Sequence, residues 1–208
     1  MEDPFKKEKP VLPYLQKRRL FKEEAAYISD HGLDKYKKSL GINIAEMKGK
    51  LVLDFGSGAN EKFSKEASKK GIRVVSMSPH LKNKDELGTL FFENWQNRSV
   101  AGRGQEIPFA DNTFDYEVAQ YSVPYYLPFA HGEYKRFFNE VIRTLKPGGK
   151  AYFFPIFFND TDGYSVSPEF ISKLLNKYSD YITYTIEKIN AEDKECRLIL
   201  TKNKNKDN

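Results

Sequence analysis

The chain has 208 residues, a hydrophobic fraction of 39% and a formal net charge of +5. This length fits one domain with a full core. No apolar run approaches the roughly 20 residues that a membrane-spanning helix needs, so we predict no membrane span. The start of the chain, Met1–Pro10, is charged, and we expect no signal peptide. The single cysteine, Cys196, excludes an internal disulfide. We expect its side chain to be buried like a small hydrophobic residue, and we expect the protein to be in the reducing cytoplasm.

The N-terminal part of the chain is basic. Residues 1–50 carry twelve Lys and Arg against eight Asp and Glu, a net charge of +4. Such a segment can favour anionic partners such as nucleic acid, but it is more often a solvated helix face. Nucleic acid is therefore a disfavoured partner. We predict an N-terminal helical lid over residues 1–48, a main domain over 49–202 and a disordered tail over 203–208.

A short apolar run followed by two glycines opens the main domain. Leu51–Leu53 predicts a strand that is buried on both faces, as in parallel sheets, and Asp54 follows at its carboxyl end. Gly56 and Gly58 let the backbone turn tightly and approach a ligand. A dinucleotide site would carry a third glycine at position 61, where Glu61 stands. The run alone leaves open a nucleotide-type site and a plain strand-to-helix turn.

The rest of the main domain alternates predicted strands and helices. Runs of β-branched and apolar residues between turn signals predict the strands. Helices end at glycine or proline, as at Lys146–Gly149. In chain order we predict helix Asn60–Lys70, strand Ile72–Met77, helix Asp85–Trp95, strand Ser99–Ala101, strand Phe114–Gln120, helix Gly132–Leu145, strand Lys150–Phe158, helix Pro168–Tyr178, and strands Tyr181–Ile189 and Glu195–Lys202.

Repeated strand–helix units favour the α/β class. We predict a Rossmann-like, doubly wound sheet of seven strands, mostly parallel, with a C-terminal antiparallel hairpin. In this architecture ligands bind beyond the carboxyl ends of the strands. Asp54, Ser76, Arg103 and Gln120 all fall near such ends, so we expect the functional site there.

The chain carries four short motifs: Leu-Asp-Phe-Gly-Ser-Gly at 53–58, Ser-Pro at 78–79, Ile-Pro-Phe-Ala-Asp-Asn-Thr-Phe-Asp at 107–115 and Arg-Thr-Leu-Lys-Pro-Gly-Gly at 143–149. In this order they resemble the motifs of the class I S-adenosylmethionine-dependent methyltransferases of the type 11 group, typified by small-molecule and quinone methyltransferases. Each motif is weak alone, but four in register are specific. The resemblance covers about residues 51–155.

The resemblance implies S-adenosylmethionine as the cofactor and methyl transfer as the activity. It places the backbone of Gly56, Ser57 and Gly58 around the methionine part of the cofactor and Asp54 at its ammonium group. The alternative for Asp54 is a carboxylate that only orders the glycine turn. The other implied cofactor contacts are Ser76 and Met77 after the second strand, Gly104, Gln105, Glu106 and Ile107 along the adenine, and Gln120 and Tyr121 near the reactive methyl group.

Two residues depart from the family's pattern. Ser76 stands where an acidic residue usually accepts from both ribose hydroxyls, and Arg103 stands where an aspartate usually accepts from the adenine amino group. Arginine has no acceptor atom, so Arg103 would stack on the adenine or turn outward toward an acidic acceptor molecule. Losing two charged contacts at roughly 1.5 to 3 kcal/mol each would weaken cofactor binding more than tenfold.

Methyl transfer requires that the acceptor be held in line with the methyl group and that water be excluded. Oxygen and carbon acceptors usually also need a base. The candidate catalytic residues are His80, His131, Tyr121 and Tyr125, each of which could instead be a packing or surface residue. His31 is assigned to the N-terminal lid, with a plain helix-end histidine as its alternative. We predict no metal site.

Aromatic residues concentrate after the fourth predicted strand, at Tyr121, Tyr125, Tyr126 and Phe129. They favour a partly apolar pocket for a small organic acceptor, although the same rings could be core. The sequence Gln-Tyr-Ser-Val at 120–123 replaces the Asn-Pro-Pro-Tyr type of motif seen in amino-group methylation, so methylation of nucleic acid or protein is disfavoured.

Two other functions stay open. Ser76 and Arg103 motivate a methyltransferase-like module that no longer catalyses and instead binds a partner. A dinucleotide oxidoreductase is the least favoured, because the third glycine and an acidic end to the second strand are both missing. The sequence predicts neither the acceptor nor the oligomeric state.

Overall fold

The computed structural model describes residues 31–58, 61–79, 98–125, 127, 132–156, 168–189 and 195–204. Several predictions fall outside these ranges, namely the first 30 residues of the lid, helix Asp85–Trp95, the end of the tail, His80, His131, Tyr126 and Phe129.

The elements follow the predicted alternation of helices and strands. They are α1 Leu33–Leu40, α2 Ile44–Met47, β1 Leu51–Phe55, α3 Lys62–Ser68, β2 Arg73–Ser78, β3 Ser99–Ala101, β4 Phe114–Gln120, α4 Glu133–Thr144, β5 Leu145–Ile156, α5 Pro168–Leu175, β6 Ile182–Lys188 and β7 Cys196–Lys202. A 3₁₀ turn at Asn176–Tyr178 extends α5, so the predicted helix to Tyr178 is confirmed in extent.

The seven strands form one sheet in the order β3-β2-β1-β4-β5-β7-β6. The first five strands in this order are parallel. β7 pairs antiparallel with both β5 and β6, so the C-terminal hairpin places its last strand inside the sheet. This topology confirms the predicted α/β class and the mostly parallel, doubly wound sheet with an antiparallel hairpin.

Helices cover both faces of the sheet because successive side chains of a strand point to opposite faces. On one face, Val52 packs with residues of α1 and α3 such as Tyr36 and Phe63. On the other face, Leu53 and Phe55 pack with an aromatic cluster that includes Phe137 of α4. The side chain of Asp54 points away from those of Leu53 and Phe55, so it lies on the face of the sheet that α1 and α3 cover.

The starting residues of two elements differ from the sequence prediction by more than one residue. α3 begins at Lys62 rather than Asn60, because Glu61 has a left-handed backbone conformation with φ 48°. β5 begins at Leu145 rather than Lys150: Leu145 pairs with Phe114 and Lys150 with Tyr116, so residues 146–149 form a bulge inside the strand. The predicted turn is present, but strand pairing continues on both of its sides.

The structure also bears on the predictions for the single cysteine and for a membrane-spanning helix. Cys196 is a buried free thiol in β7. Across the described ranges, no helix combines the length and the apolar content that crossing a bilayer requires.

Candidate functional site

Polar side chains meet at the carboxyl ends of neighbouring strands. In the parallel register Asp54 of β1 lies beside Ser76 of β2, and Ser76 lies beside Ser99 of β3. On the other side of β1, Asp54 pairs with Val118 of β4. Gln120 ends that strand two residues later, so its side chain shares the face of Asp54. The sheet therefore brings these four polar residues to one edge, as the sequence predicted for Asp54, Ser76 and Gln120.

This edge concentrates buried polar atoms without hydrogen-bond partners. Among the described residues, such atoms are Asp54 Oδ2, Ser57 Oγ, Ser76 Oγ, Gln120 Oε1 and one oxygen of Glu117. The first four lie on the strand ends or in the loop after β1. A buried polar group without a partner costs about 1 to 3 kcal/mol, and native structures contain few of them. Their concentration at one edge indicates a place where a polar ligand supplies the missing partners.

The loop after β1 requires glycine at position 56. Gly56 has φ 69°, and its N–H donates to the carbonyl oxygen of Met77 over 2.8 Å. A Cβ atom there would lie 2.6 Å from Cβ of Ser122, the residue whose hydroxyl donates to the carbonyl oxygen of Phe55. Gly58 also has a left-handed conformation, with φ 75°. The loop thus turns tightly against the end of β4 and exposes backbone rather than side chains.

Helix α1 is fastened to this edge by two side-chain hydrogen bonds. Tyr36 donates its hydroxyl hydrogen to Asp54 Oδ1 over 2.9 Å. Gln120 Nε2 donates to Ser39 Oγ over 2.7 Å. The sequence analysis missed Tyr36 and Ser39. Their spacing of three residues, with Leu40 completing a buried helix face, is the signal that could have identified them.

The carboxyl group of Asp54 has an unusual environment. Burial raises its pKa from 3.8 to about 7, the hydrogen bond from Tyr36 partly opposes this effect, and the nearby charge of Glu61 raises the pKa further. A buried carboxylate is stabilised by a cationic partner. The site therefore suits a ligand that brings a positive charge to Asp54.

Glu61 is a second buried carboxylate on the same face. It is 0% exposed, and its Oε1 accepts a hydrogen bond from Ser99 Oγ at 2.5 Å. The sequence analysis treated Glu61 only as an absent glycine within a helix. Its backbone is left-handed, with φ 48°, at the position where the dinucleotide motif has its third glycine.

The loop after β3 carries the residues predicted to line an adenine. Gly104 is buried, and a Cβ atom there would lie 2.8 Å from the ring of Phe137. Gln105 Nε2 donates to Glu133 Oε2 over 2.8 Å, at the start of α4. Glu106 is exposed. The loop is therefore seated on α4, with Gly104 permitting its close approach.

Three predicted site residues have other surroundings. Met77 and Ile107 are buried in the core on the face opposite Asp54, so a ligand could reach only their backbone. The Ile107 N–H donates to Glu140 Oε2 over 2.8 Å. Arg103 is exposed, at an isolated bridge with Glu106. Its outward position agrees with the second alternative that the sequence left open.

An aromatic group lies beyond the end of β4. Tyr121 has φ 48°, a strained conformation for a residue with a side chain. Its hydroxyl donates to Glu195 Oε1 over 3.2 Å, and its ring lies 5.6 Å from the ring of His31 and 5.4 Å from that of Phe154. Tyr125 is half-buried nearby in sequence. Of the four candidate catalytic residues, the structure describes Tyr121 and Tyr125.

Comparisons with known proteins agree with this geometry. The model of the family described as "Methyltransferase domain" matches residues 53–153. A SAM-dependent methyltransferase from Aquifex aeolicus is 16% identical, with a TM-score of 0.58, covering 87% of this chain and 97% of that one. A putative S-adenosyl-L-methionine-dependent methyltransferase from Methanococcus maripaludis is 19% identical, with a TM-score of 0.56, covering all of both chains.

A third structure was determined with the cofactor. Phosphoethanolamine N-methyltransferase 2 from Haemonchus contortus, in complex with S-adenosyl-L-methionine, is 15% identical with a TM-score of 0.61, covering 96% of this chain and 61% of that one. At these identities the likeness shows the fold. Among curated proteins, no sequence matches this chain.

Proposed function

Because this chain belongs to the class I S-adenosylmethionine-dependent methyltransferase family, an enzyme family with S-adenosylmethionine as its cosubstrate, we propose that it methylates a small organic acceptor. The observation that carries the proposal is the concentration of unpartnered buried polar atoms at the carboxyl edge of β1, β2 and β4. A glycine loop that exposes backbone lies beside them. These features fit a zwitterionic amino acid joined to a nucleoside.

The residues at this edge would bind different parts of the cofactor. The backbone of Gly56, Ser57 and Gly58 would hold its methionine part, and Asp54 Oδ2 would accept from its ammonium group. Gln120 Oε1, also unpartnered, would face the region of the reactive methyl. The loop with Gly104 and Gln105 would lie along the adenine, with Glu106, Ile107 and Met77 beside it.

S-adenosylmethionine, when bound, supplies a methyl group activated on a sulfonium. The protein's work is then positioning, since the acceptor must lie in line with the methyl group and water must be kept out. Helix α1 serves this purpose, because Tyr36 and Ser39 fasten it over the ends of β1 and β4. These contacts support the proposal that residues 1–48 act as a lid, in which α1 is attached to the sheet edge.

Tyr121 is the best-placed residue to orient an acceptor. Its hydroxyl donates to Glu195, and a phenolic oxygen can also accept a hydrogen bond from a hydroxyl or amino group. The rings of His31 and Phe154 beside it supply the apolar surface that favours a small organic acceptor over a nucleic acid or a protein. Tyr125 is the second candidate for this wall. The buried, unpaired Cys196 supports a cytoplasmic location.

Calorimetric titration with S-adenosylmethionine and S-adenosylhomocysteine tests the cofactor part of the proposal. We expect micromolar binding that Gly56→Val abolishes, because its side chain would collide with Ser122. Gly49→Val is the matched control: Gly49 has φ 75°, but a Cβ atom there meets no other atom within 4 Å. The control variant shares the backbone strain and should keep its affinity.

The opposite result has a clear meaning. If the wild-type protein does not bind either compound at millimolar concentration, the enzymatic proposal fails. The exposed Arg103 and the serine at position 76 would then favour a module that binds a partner without catalysis.

A screen of small acceptors tests the second part. Release of S-adenosylhomocysteine identifies an acceptor, and Tyr121→Phe should then raise KM for the acceptor while leaving the affinity for the cofactor unchanged. If RNA or an unfolded protein is methylated faster than every small molecule offered, the small-acceptor proposal is wrong.

A further inference from the structure

The end of β2 carries serine hydroxyls but no carboxylate. Ser76 is 1% exposed, and its Oγ has no hydrogen-bond partner within the described residues. Its neighbours in register are Asp54 and Ser99. In Rossmann-type sites the ribose of a bound nucleotide lies near the end of this strand, where a carboxylate accepts from its hydroxyls. A serine alone satisfies at most part of that requirement.

A carboxylate does reach this place, but from a different element. Glu61 precedes α3, the helix that covers the same face, and its Oε1 accepts from Ser99 Oγ at 2.5 Å. Because Ser99 lies directly beside Ser76 in the sheet, the carboxylate of Glu61 lies near Ser76 of β2 and the first residue of β3. Its charge also acts on Asp54 of β1. Glu61 therefore lies within the row of polar residues that crosses the three strands.

We propose that Glu61 is the ribose-binding carboxylate of this protein and that it replaces the acidic residue absent from the end of β2. This inference rests on the proposed function, since it needs S-adenosylmethionine as the ligand. A carboxylate offers two acceptor oxygens, which suits the two adjacent hydroxyls of a ribose. Ser76 Oγ provides one further polar contact beside it.

A purely structural role explains Glu61 less well. Its left-handed φ of 48° favours glycine or asparagine over glutamate. Its side chain makes no capping hydrogen bond to α3, which is the usual role of a polar residue at this position. A carboxylate that contacts the ligand accounts for a glutamate at this strained position.

The experiment compares ligands with and without the ribose hydroxyls. Calorimetry gives the dissociation constants of S-adenosylhomocysteine and its 2′-deoxy and 3′-deoxy analogues for the wild type, Glu61→Gln and the control Glu46→Gln, an exposed carboxylate of α2. We expect the wild type and the control to prefer the ribose form by about 10-fold to 100-fold. In Glu61→Gln this preference should fall to a few-fold, with little change in affinity for the deoxy forms.

A rescue variant separates ligand contact from folding. Adding Ser76→Asp to Glu61→Gln returns a carboxylate to the end of β2 and should restore much of the ribose preference. Where Glu61→Gln does not fold, as judged by its melting curve, Glu61→Asp takes its place: it keeps the charge, shortens the reach and should lose part of the preference.

The outcomes distinguish this inference from the proposed function. If the wild type binds S-adenosylhomocysteine and the variants keep its full ribose preference, the role of Glu61 is overturned and the proposed function stands. An equal loss of affinity for the ribose and deoxy forms likewise overturns it, because that result indicates a structural role. If the wild type binds none of the ligands, the proposed function itself fails.

Discussion

Tyr36 donates a hydrogen bond to one oxygen of Asp54, and the other oxygen of that carboxyl group is buried without a partner in the described part of the chain. One side of the carboxyl group is thus held by helix α1, and the other side is directed to the place where we propose the cofactor's ammonium group. The same carboxyl group has a pKa of about 7 because it is buried. Its protonation therefore couples folding, pH and ligand binding.

The stability of the ligand-free protein should depend on Asp54 between about pH 4 and pH 7. The folded protein keeps a proton on Asp54 that the unfolded chain releases near pH 3.8. The contribution of Asp54 to the free energy of unfolding is therefore full below pH 3.8. It is lost progressively as the pH rises from there to about 7, by up to about 4 kcal/mol in total. Asp54→Asn keeps the shape of the side chain and should be more stable than the wild type by a small margin at pH 5 and by a larger margin at pH 8. Urea unfolding at both values measures this difference, and a gap that does not change with pH would contradict it.

Cofactor binding should release a proton below pH 7. An ammonium group remains charged up to about pH 8, and it favours the ionised form of Asp54. Affinity for S-adenosylhomocysteine should therefore fall by up to about tenfold per pH unit below 7. Calorimetry at pH 6 in two buffers of different ionisation enthalpy should show nearly one proton released by the wild type and almost none by Asp54→Asn. Equal proton release by both proteins would show that Asp54 does not face the ammonium.

Much of the fold follows from local sequence patterns. β4 was predicted at Phe114–Gln120 and has those bounds, because a turn precedes it and its residues are mostly buried. The glycine loop was predictable as well, since position 56 needs both a left-handed backbone and the absence of a side chain. The row of Asp54 and Ser76 then follows from the parallel register alone.

Other parts of the site depend on contacts between distant segments. Glu61 lies at the proposed ribose position only because the order β3-β2-β1 brings Ser99, 38 residues away, beside it. Helical spacing alone included Glu61 in the helix and gave no sign of its left-handed backbone. Likewise, the contact from Gln120 to Ser39 spans 81 residues, a separation at which no local pattern carries information.

Arg143 should be needed to hold the loop that follows β3. Its guanidinium donates to the carbonyl oxygens of Ile107 and Phe109 over 2.9 and 2.7 Å and is paired with Glu140. A lysine cannot make this set of contacts, because it lacks the planar group with five donors. Arg143→Lys should lower the stability by about 1 to 2 kcal/mol and weaken S-adenosylhomocysteine binding several-fold.

Arg136→Lys is the control for Arg143→Lys. Arg136 lies on the same helix, but its side chain is 69% exposed and its ion pair is with Glu133, so little change is expected. Thermal melts and calorimetry of both variants provide the comparison. If Arg143→Lys lowers stability without affecting the ligand, the loop does not contribute to cofactor binding.

Glu117 should be neutral in the folded protein, and its isosteric amide should stabilise the protein at alkaline pH. Thr144 Oγ1 lies 2.6 Å from Glu117 Oε1 and 2.8 Å from the carbonyl oxygen of Glu140. Because a hydroxyl has one hydrogen, Thr144 cannot donate to both oxygens. If Glu117 is protonated, it donates its hydrogen to Thr144 Oγ1, and Thr144 donates its own hydrogen to the carbonyl oxygen of Glu140. Burial, the largest cause, raises the pKa of Glu117 well above 4.5.

Glu117→Gln keeps a donor toward Thr144 and removes the ionisation. For a carboxyl group whose pKa is raised by folding, the contribution to stability is lost as the pH rises through the folded value. The variant should therefore melt close to the wild type at pH 5 and several degrees higher at pH 9, with Glu46→Gln unchanged at both. A lower melting temperature for Glu117→Gln at pH 9 would mean that the folded protein holds an ionised Glu117 at this position, against the single-hydrogen argument at Thr144.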